Sequence, residues 1–150
     1  MVCLGNICRS PIAEGILRNK TSQLKLDWII DSAGTSSWHI GEPPDARAIE
    51  TAALNGIDIA SQRSRQVQQV DLVKYDLILA MDQSNYNNLM QISSNDLERN
   101  KIKLILNYVY PGENRPVPDP YYDGSFERTF ELLQSAADKI IAIHSNTHDH

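Results

Sequence analysis

MVCLGNICRSP, residues 1–11, passes from a pair of apolar residues through a loop of unusual composition to a serine and a proline. MVCL reads as the end of a strand. SPIAEGILRNK, beginning at Ser10, places Ile12, Ile16 and Leu17 on one face at helical spacing. Ser10 followed by Pro11 reads as an N-cap and first helical residue, since proline has no N–H to lose there. The loop CLGNICR therefore joins a strand to the positive end of a helix dipole.

Outward from this stretch the pattern keeps alternating. DWIIDSAG (27–34) reads as a second strand closed by Gly34, and DARAIETAALNG (45–56) as a helix with Asp45 as N-cap and Gly56 at its C-terminal stop. YDLILAMD (75–82) has the pattern of a buried strand, QSNYNNLMQI (83–92) of a helix and KIKLILNY (101–108) of a further strand. SFERTFELLQSAADKIIAIH (125–144) is a long helix that aligns Phe126, Phe130, Leu133, Ala137, Ile140 and Ile141 on one side. The alternation predicts an α/β fold, an open parallel sheet with helices on both faces, because parallel strands need crossover connections. A single domain spans residues 1–150, and the polar stretch HSNTHDH (144–150) is expected to be a frayed tail rather than a histidine metal site.

With 150 residues, 41% of them hydrophobic and 22% charged, the chain has the composition of one globular domain whose core needs no disulfide or structural metal. Cys3 and Cys8 lie five residues apart and form no scaffold. No basic and apolar leader opens the sequence, and no apolar run nears the roughly 18 residues of a membrane span. The expectation is a cytoplasmic protein with reduced thiols and no membrane partner. A net charge of −5 without a basic stripe argues against nucleic acid. An anionic ligand must then be drawn in by a local site.

The CLGNICR loop has the makings of one. Ligands of open α/β sheets sit at the carboxyl ends of the strands, where helix N-termini aim unpaired N–H groups outward. Gly5 admits backbone conformations that other residues resist, and Asn6 tolerates the left-handed region while its amide braces the turn. Arg9 offers a planar fork for two oxygens of a tetrahedral anion. Cys3 lies at the bottom of this cradle, a setting of N–H groups and guanidinium that suits a thiolate nucleophile beneath a bound phosphorus. Expelling an alkoxide or phenoxide from that centre requires protonation of the leaving oxygen, a contribution of about 10²–10⁴-fold. Asp119, between Pro118 and Pro120 on a stiff loop, is the candidate acid.

Cys, five residues, Arg and Ser, as CLGNICRS at residues 3–10 with Val2 before and Pro11 after, resembles the active-site signature of the low-molecular-weight protein tyrosine phosphatases. DSAGTSSWHIGEPPDARA (31–48), RSRQV (63–67), LAMDQSN (79–85) and DPYYDG (119–124) resemble further blocks of that family, the last of them its acid loop. The resemblance covers almost the whole chain. It implies a flavodoxin-like, four-stranded sheet of order 2-1-3-4, with the first strand unusually short because only Met1 and Val2 precede Cys3. It also implies hydrolysis of phosphotyrosine and small aryl phosphate monoesters in two steps through a phosphocysteine on Cys3. Asp119 acts as acid and then base in that scheme, with no metal and no other cofactor.

The resemblance assigns further roles. Leu4, Gly5, Asn6, Ile7, Cys8, Arg9 and Ser10 form the phosphate-binding loop. Ser10 bonds the Cys3 sulfur, Asn6 and Ser32 fix the loop, and Trp38, His39, Tyr121 and Tyr122 join Leu4 and Ile7 as the rim that receives an aromatic ring. Cys8 becomes the redox partner that traps an oxidised Cys3 as a disulfide. The implied partners are a phosphotyrosine protein substrate and inorganic phosphate, as product and inhibitor. The implied assembly is a monomer or weak homodimer.

Plainer readings stand beside these. Cys8 reads equally as a small buried hydrophobe, Asp119 as a turn former, Tyr121 and Tyr122 as packing residues, Trp38 as a core edge and His39 as a surface residue. Asp82 and Arg65 read as members of structural ion pairs. Gln62 stands where many family members carry a histidine, and His39 takes a rim position filled elsewhere by other polar residues. Two alternative functions follow. One is a phosphate-binding relative whose catalysis is impaired by its short first strand; the other is a thioredoxin-coupled arsenate reductase, which requires further cysteines that the sequence after Cys8 lacks.

Overall fold

Strand and helix alternate as expected, but the strands are much shorter than their apolar runs. The computed structural model describes residues 1–148 and builds a four-stranded parallel sheet of order β2-β1-β3-β4. β1 (Val2–Cys3) is central and leads into α1 (Arg9–Gln23). β2 (Ala33–Gly34) pairs with one side of β1 and is followed by α2 (Ala46–Leu54) and α3 (Gln69–Lys74). β3 (Ile78–Ala80) pairs with the other side and leads to α4 (Gln83–Ile92), α5 (Asp96–Arg99) and the edge strand β4 (Ile102–Leu104). A 3₁₀ turn (Ile105–Tyr108), α6 (Pro120–Asp123) and α7 (Phe126–His148) follow.

Period-two alternation along the strands divides the interior in two. Cys3, Leu79 and Met81 join the core that contains α1 and α7, where Ile12, Ile16, Leu133 and Ile140 are at most 1% exposed. Val2, Ile78, Ala80, Ile102 and Leu104 join the opposite core, with Leu72 of α3 and Leu89 of α4. Each large aliphatic side chain taken out of water contributes about 1.5–3 kcal/mol. The two cores, more than the few ladder bonds, therefore hold the central β1 in place. Among the described residues no helix is long and apolar enough to cross a membrane.

Local expectations shift in four places. Cys8, not Ser10, is the N-cap of α1, so Ser10 and Pro11 become its second and third residues. β2 is confined to Ala33–Gly34 instead of running through DWIIDSAG: its register with β1 is Val2 to Ala33 and Cys3 to Gly34, and Ala33 N donates to Met1 O at 2.9 Å. An extended segment becomes a strand only where a neighbour supplies its bonds. KIKLILNY leaves the sheet after Leu104 and tightens into the 3₁₀ turn. The stretch expected to fray from residue 144 is helical as far as His148, and His144 Nε2 meets Tyr108 Oη at 2.6 Å; residues 149–150 lie outside the described residues.

Helix caps account for several boundaries. Asp45 caps α2 as expected, accepting from Arg47 N at 2.8 Å, and Gly56 follows the helix at a φ of +79°. α3 and α5 were not anticipated, although Asn-x-x-Glu at 95–98 is a readable cap signal: Asn95 Oδ1 accepts from Glu98 N at 2.9 Å.

Gly34 is required by a close approach. A Cβ there would lie 2.8 Å from Leu4 O and 3.1 Å from Asn6 N, both backbone atoms of the β1–α1 loop. Gly34→Ala should force that loop off β2 and lower stability by about 1–3 kcal/mol, read as a shift of the urea midpoint at unchanged slope.

Candidate active site

In the β1–α1 loop the backbone carbonyls and amides part company. The carbonyls are drawn outward: Cys3 O accepts from Thr35 N (2.9 Å), Leu4 O from Ser36 N (2.9 Å), Gly5 O from Ser64 Oγ (3.0 Å), Ile7 O from Asp45 N (2.8 Å) and Cys8 O from Ile12 N (3.2 Å). The amides of Gly5, Ile7, Cys8, Arg9 and Ser10 donate to no protein acceptor among the described residues. Successive N–H groups freed at a turn and at a helix N-terminus make an anion-binding concavity. The turn is made possible by Asn6, at a φ of +57°. Gly5 is not left-handed; its role is room, since a Cβ there would come 3.0 Å from His39 Cδ2.

Asn6 also fixes the direction of a hydrogen-bond chain. Its Oδ1 accepts from Arg65 N at 3.0 Å, which leaves Nδ2 to donate to Ser10 Oγ (2.7 Å) and Ser32 Oγ (3.0 Å). Ser32 Oγ donates to Glu14 Oε1 at 2.7 Å, and Glu14 Oε2 accepts from Arg18 Nε at 2.9 Å. Ser10 Oγ, which accepts that amide donor, lies 3.0 Å from Cys3 Sγ with its own O–H free to donate to the sulfur. Asn6 N supplies a second donor to the sulfur at 3.3 Å. Both contacts bring polar hydrogens to the sulfur from the loop side.

Arg9, 3% exposed, is anchored from behind. Its Nη1 donates to Asp82 Oδ2 (2.8 Å) and to Val117 O (3.0 Å), and Nη2 lies 3.6 Å from Asp119 Oδ2. Burial works against the guanidinium's charge, but Cys3 and the bond to Asp82 outweigh it and hold Arg9 more firmly protonated than usual. Asp119 caps α6, with Oδ1 accepting from Tyr121 N at 3.1 Å.

A cavity of about 160 Å³ brings together Cys3, Leu4, Gly5, Ile7, Cys8, Arg9, Trp38, His39, Asp119, Tyr121 and Tyr122. Asn6, Ser10 and Ser32 are buried in the network behind it. Trp38 at 70% and Tyr122 at 75% exposure are rim residues rather than core edges, and His39 Nδ1 pairs with Glu42 Oε2. Cys8 is buried, and burial, followed by the nearby Asp45, pushes its thiol well above the usual range. Gln62 takes no part in the Asn6 network; its Nε2 donates to Pro11 O at 3.1 Å.

The family model of low molecular weight phosphotyrosine protein phosphatase matches residues 1–147. The chain belongs to that family. Its sequence is 40% identical over 143 residues to the low molecular weight protein-tyrosine-phosphatase YfkJ of Bacillus subtilis, covering 94% of this chain and 91% of that protein. The YfkJ crystal structure superposes with a TM-score of 0.90, covering 97% of this chain and 92% of that one at 38% identity. The Vibrio vulnificus Wzb structure in complex with benzylphosphonate is similar at a TM-score of 0.82 and 32% identity, covering 94% of each chain.

In this phosphatase the network behind the loop also draws in Glu14, which the sequence does not announce. Glu14 looks like one half of a surface i,i+4 pair with Arg18, and nothing local announces that it reaches Ser32. Arg65 and Asp82 do form the expected ion pairs, Arg65 with Asp71 (3.0 Å) and Asp31 (3.1 Å).

Because Arg65 N holds Asn6, its partner Asp71 steadies the phosphatase loop at one remove. Burial alone would push the Asp71 carboxyl up, but Arg65 and the Gln68 N–H outweigh it and hold it below the usual range. A depressed carboxyl stabilises the fold above its ordinary pKa and loses that contribution as pH falls through the folded value. Asp71→Asn should therefore unfold at lower urea than wild type at pH 7, with the gap closing as pH falls below the ordinary aspartate pKa of about 3.9 and on through the depressed folded one.

Proposed function

We propose that this phosphatase hydrolyses phosphotyrosine and small aryl phosphate monoesters through a phosphocysteine on Cys3. The observation that carries the reading is the inward set of loop amides around Cys3, with Asp119 facing Arg9 across the same cavity. In the first step Cys3 Sγ attacks phosphorus, the S–P bond forms, the bond to the aryl oxygen breaks, and Asp119 gives its proton to that oxygen. In the second, water attacks phosphorus from the vacated side, Asp119 takes its proton, the S–P bond breaks and inorganic phosphate leaves. Arg9 and the amides hold the three equatorial oxygens in both steps. Ser10 and the Asn6 N–H stabilise the sulfur as it departs.

Exposed aromatic side chains at the mouth, Trp38 and Tyr122 with Tyr121, suit a phenyl ring presented on a protein. Benzylphosphonate, the ligand in the Wzb complex, pairs such a ring with tetrahedral phosphorus and supports the same substrate class. Inorganic phosphate competes for the amides it has just left. The setting is the cytoplasm, where Cys3 and Cys8 stay reduced. When peroxide oxidises Cys3 to a sulfenic acid, the Cys8 thiol displaces water from it to form a disulfide, which a cellular dithiol reduces.

Release of 4-nitrophenol from 4-nitrophenyl phosphate at mildly acid pH should persist with EDTA present and vanish in Cys3→Ser. Asp119→Ala should slow phenyl phosphate hydrolysis by about 10²–10⁴-fold. Folded wild-type protein that binds phosphate without turning substrate over would identify a binding relative instead. For the redox step, peroxide-treated wild type should regain activity with dithiothreitol and yield a Cys3–Cys8 linked peptide by mass spectrometry, whereas Cys8→Ser should lose activity irreversibly.

A further inference from the structure

Arg47 stands on the first turn of α2, outside the cavity, yet its contacts link two parts of the active site. Its backbone N and Nε reach Asp45 Oδ1 at 2.8 and 3.1 Å, and Nη2 reaches Asp45 Oδ2 at 3.1 Å. Nη2 also donates to Tyr121 O at 3.4 Å, and the guanidinium carbon lies 5.5 Å from the Tyr121 ring centroid and 4.8 Å from that of Phe126. Asp45 N, in turn, donates to Ile7 O of the phosphate loop at 2.8 Å. Contact is thus continuous from the loop that holds Cys3 to the segment that follows Asp119.

That segment has few other ties. Its own bonds are internal: Gly124 N to Pro120 O at 2.8 Å, Tyr122 N to Asp119 O at 3.4 Å, and Ser125 N to Asp123 Oδ1 at 2.9 Å. Among the described residues, Arg47 is the group from outside 117–126 that hydrogen-bonds to residues 120–124. Tyr121 carries the consequence directly to the carboxyl, because its N–H is bonded to Asp119 Oδ1 at 3.1 Å. If Tyr121 shifts, Asp119 shifts with it.

We propose that Arg47 is a positioning residue for the general acid: by bridging Asp45 and Tyr121 it sets the reach of Asp119 to the leaving oxygen above Cys3. The inference rests on Asp119 being that acid. An arginine is required because its fork grips the Asp45 carboxylate while one arm still serves Tyr121 O, and its flat face lies against the rings. A lysine has one ammonium for both tasks. Misplacement of a reacting group by about 1 Å can cost 10²-fold, so a residue that never touches substrate can control the step.

The test is a leaving-group series on the full chain: kcat/KM for alkyl, phenyl, 4-nitrophenyl and 2,4-dinitrophenyl phosphate. Good leaving groups depart without a proton and poor ones do not. Arg47→Ala should lower kcat/KM by about 10- to 100-fold for phenyl and alkyl phosphate and by less than about threefold for 2,4-dinitrophenyl phosphate. Asp45→Asn, which still accepts the cap bond but loses the charge, should show the same dependence on leaving group. In an Asp119→Ala background Arg47→Ala should add nothing. A uniform loss across the series, no loss, or an additional loss in the double variant would overturn the proposal. Asp119→Ala with no leaving-group dependence would instead remove the acid itself, and the proposal with it. Arg47→Lys serves where the alanine variant does not fold, with the same pattern expected.

Discussion

Donors from four separate parts of the chain, Thr35 and Ser36 after β2, Asp45 before α2, Ser64 in the long connection to α3 and Ile12 of α1, pull the carbonyls of Cys3, Leu4, Gly5, Ile7 and Cys8 away from the cavity. A peptide unit whose oxygen is held on one side must present its N–H on the other. The Gly5, Cys8 and Arg9 amides are thereby aimed by groups that do not line the cavity, and an anion bound there would meet dipoles that need no reorganisation. This explains how a chain of net charge −5 can build an anion site with one buried arginine in it. Oriented backbone stands beside Arg9, whose fork has its own position fixed by Asp82 and Val117.

The order of the sheet serves the same end. A two-residue β1 keeps its place because it lies between β2 and β3, with Val2 in one core and Cys3 in the other. Cys3 is thus both the last strand residue and the first of the loop, and its side chain is carried by the most enclosed part of the fold. β2 pairs with β1 over two residues, and the carboxyl end of the sheet is where the loop, Asp82 and the Asp119 segment gather.

Much of this was legible in sequence because it is local. CLGNICRS fixes a strand end, a left-handed Asn, a fork and a helix start within eight residues, and the alternation of apolar patterns fixes the layers. The misreadings are those in which a distant partner decides. DWIIDSAG has the composition of a strand over its full length, but pairing depends on what β1 offers beside it. Glu14 and Arg47 look like ordinary helix-surface charges, and their partners Ser32 and Tyr121 lie 18 and 74 residues away. Gly5 and Asn6 both read as conformationally special in isolation, but the positive φ falls at Asn6, and Gly5 instead leaves room for His39.

The shifted start of α1 has a chemical meaning. Had Ser10 been the N-cap, its oxygen would have accepted a helical N–H; with the helix beginning at Arg9, that oxygen accepts from Asn6 and its proton is free to donate to the sulfur. Elsewhere around the cavity the caps are aspartates, and each divides its two oxygens. Asp82 gives Oδ1 to Asn85 N and Oδ2 to Arg9; Asp45 gives Oδ1 to Arg47 N and Oδ2 to the guanidinium of Arg47; Asp119 gives Oδ1 to Tyr121 N and leaves Oδ2 toward Arg9. Serine or threonine would cap these helices about as well but has a single oxygen to give. A carboxylate at all three helix starts is what lets the same residue end a loop and take part in the site, so that the helices are placed by the groups they help to position.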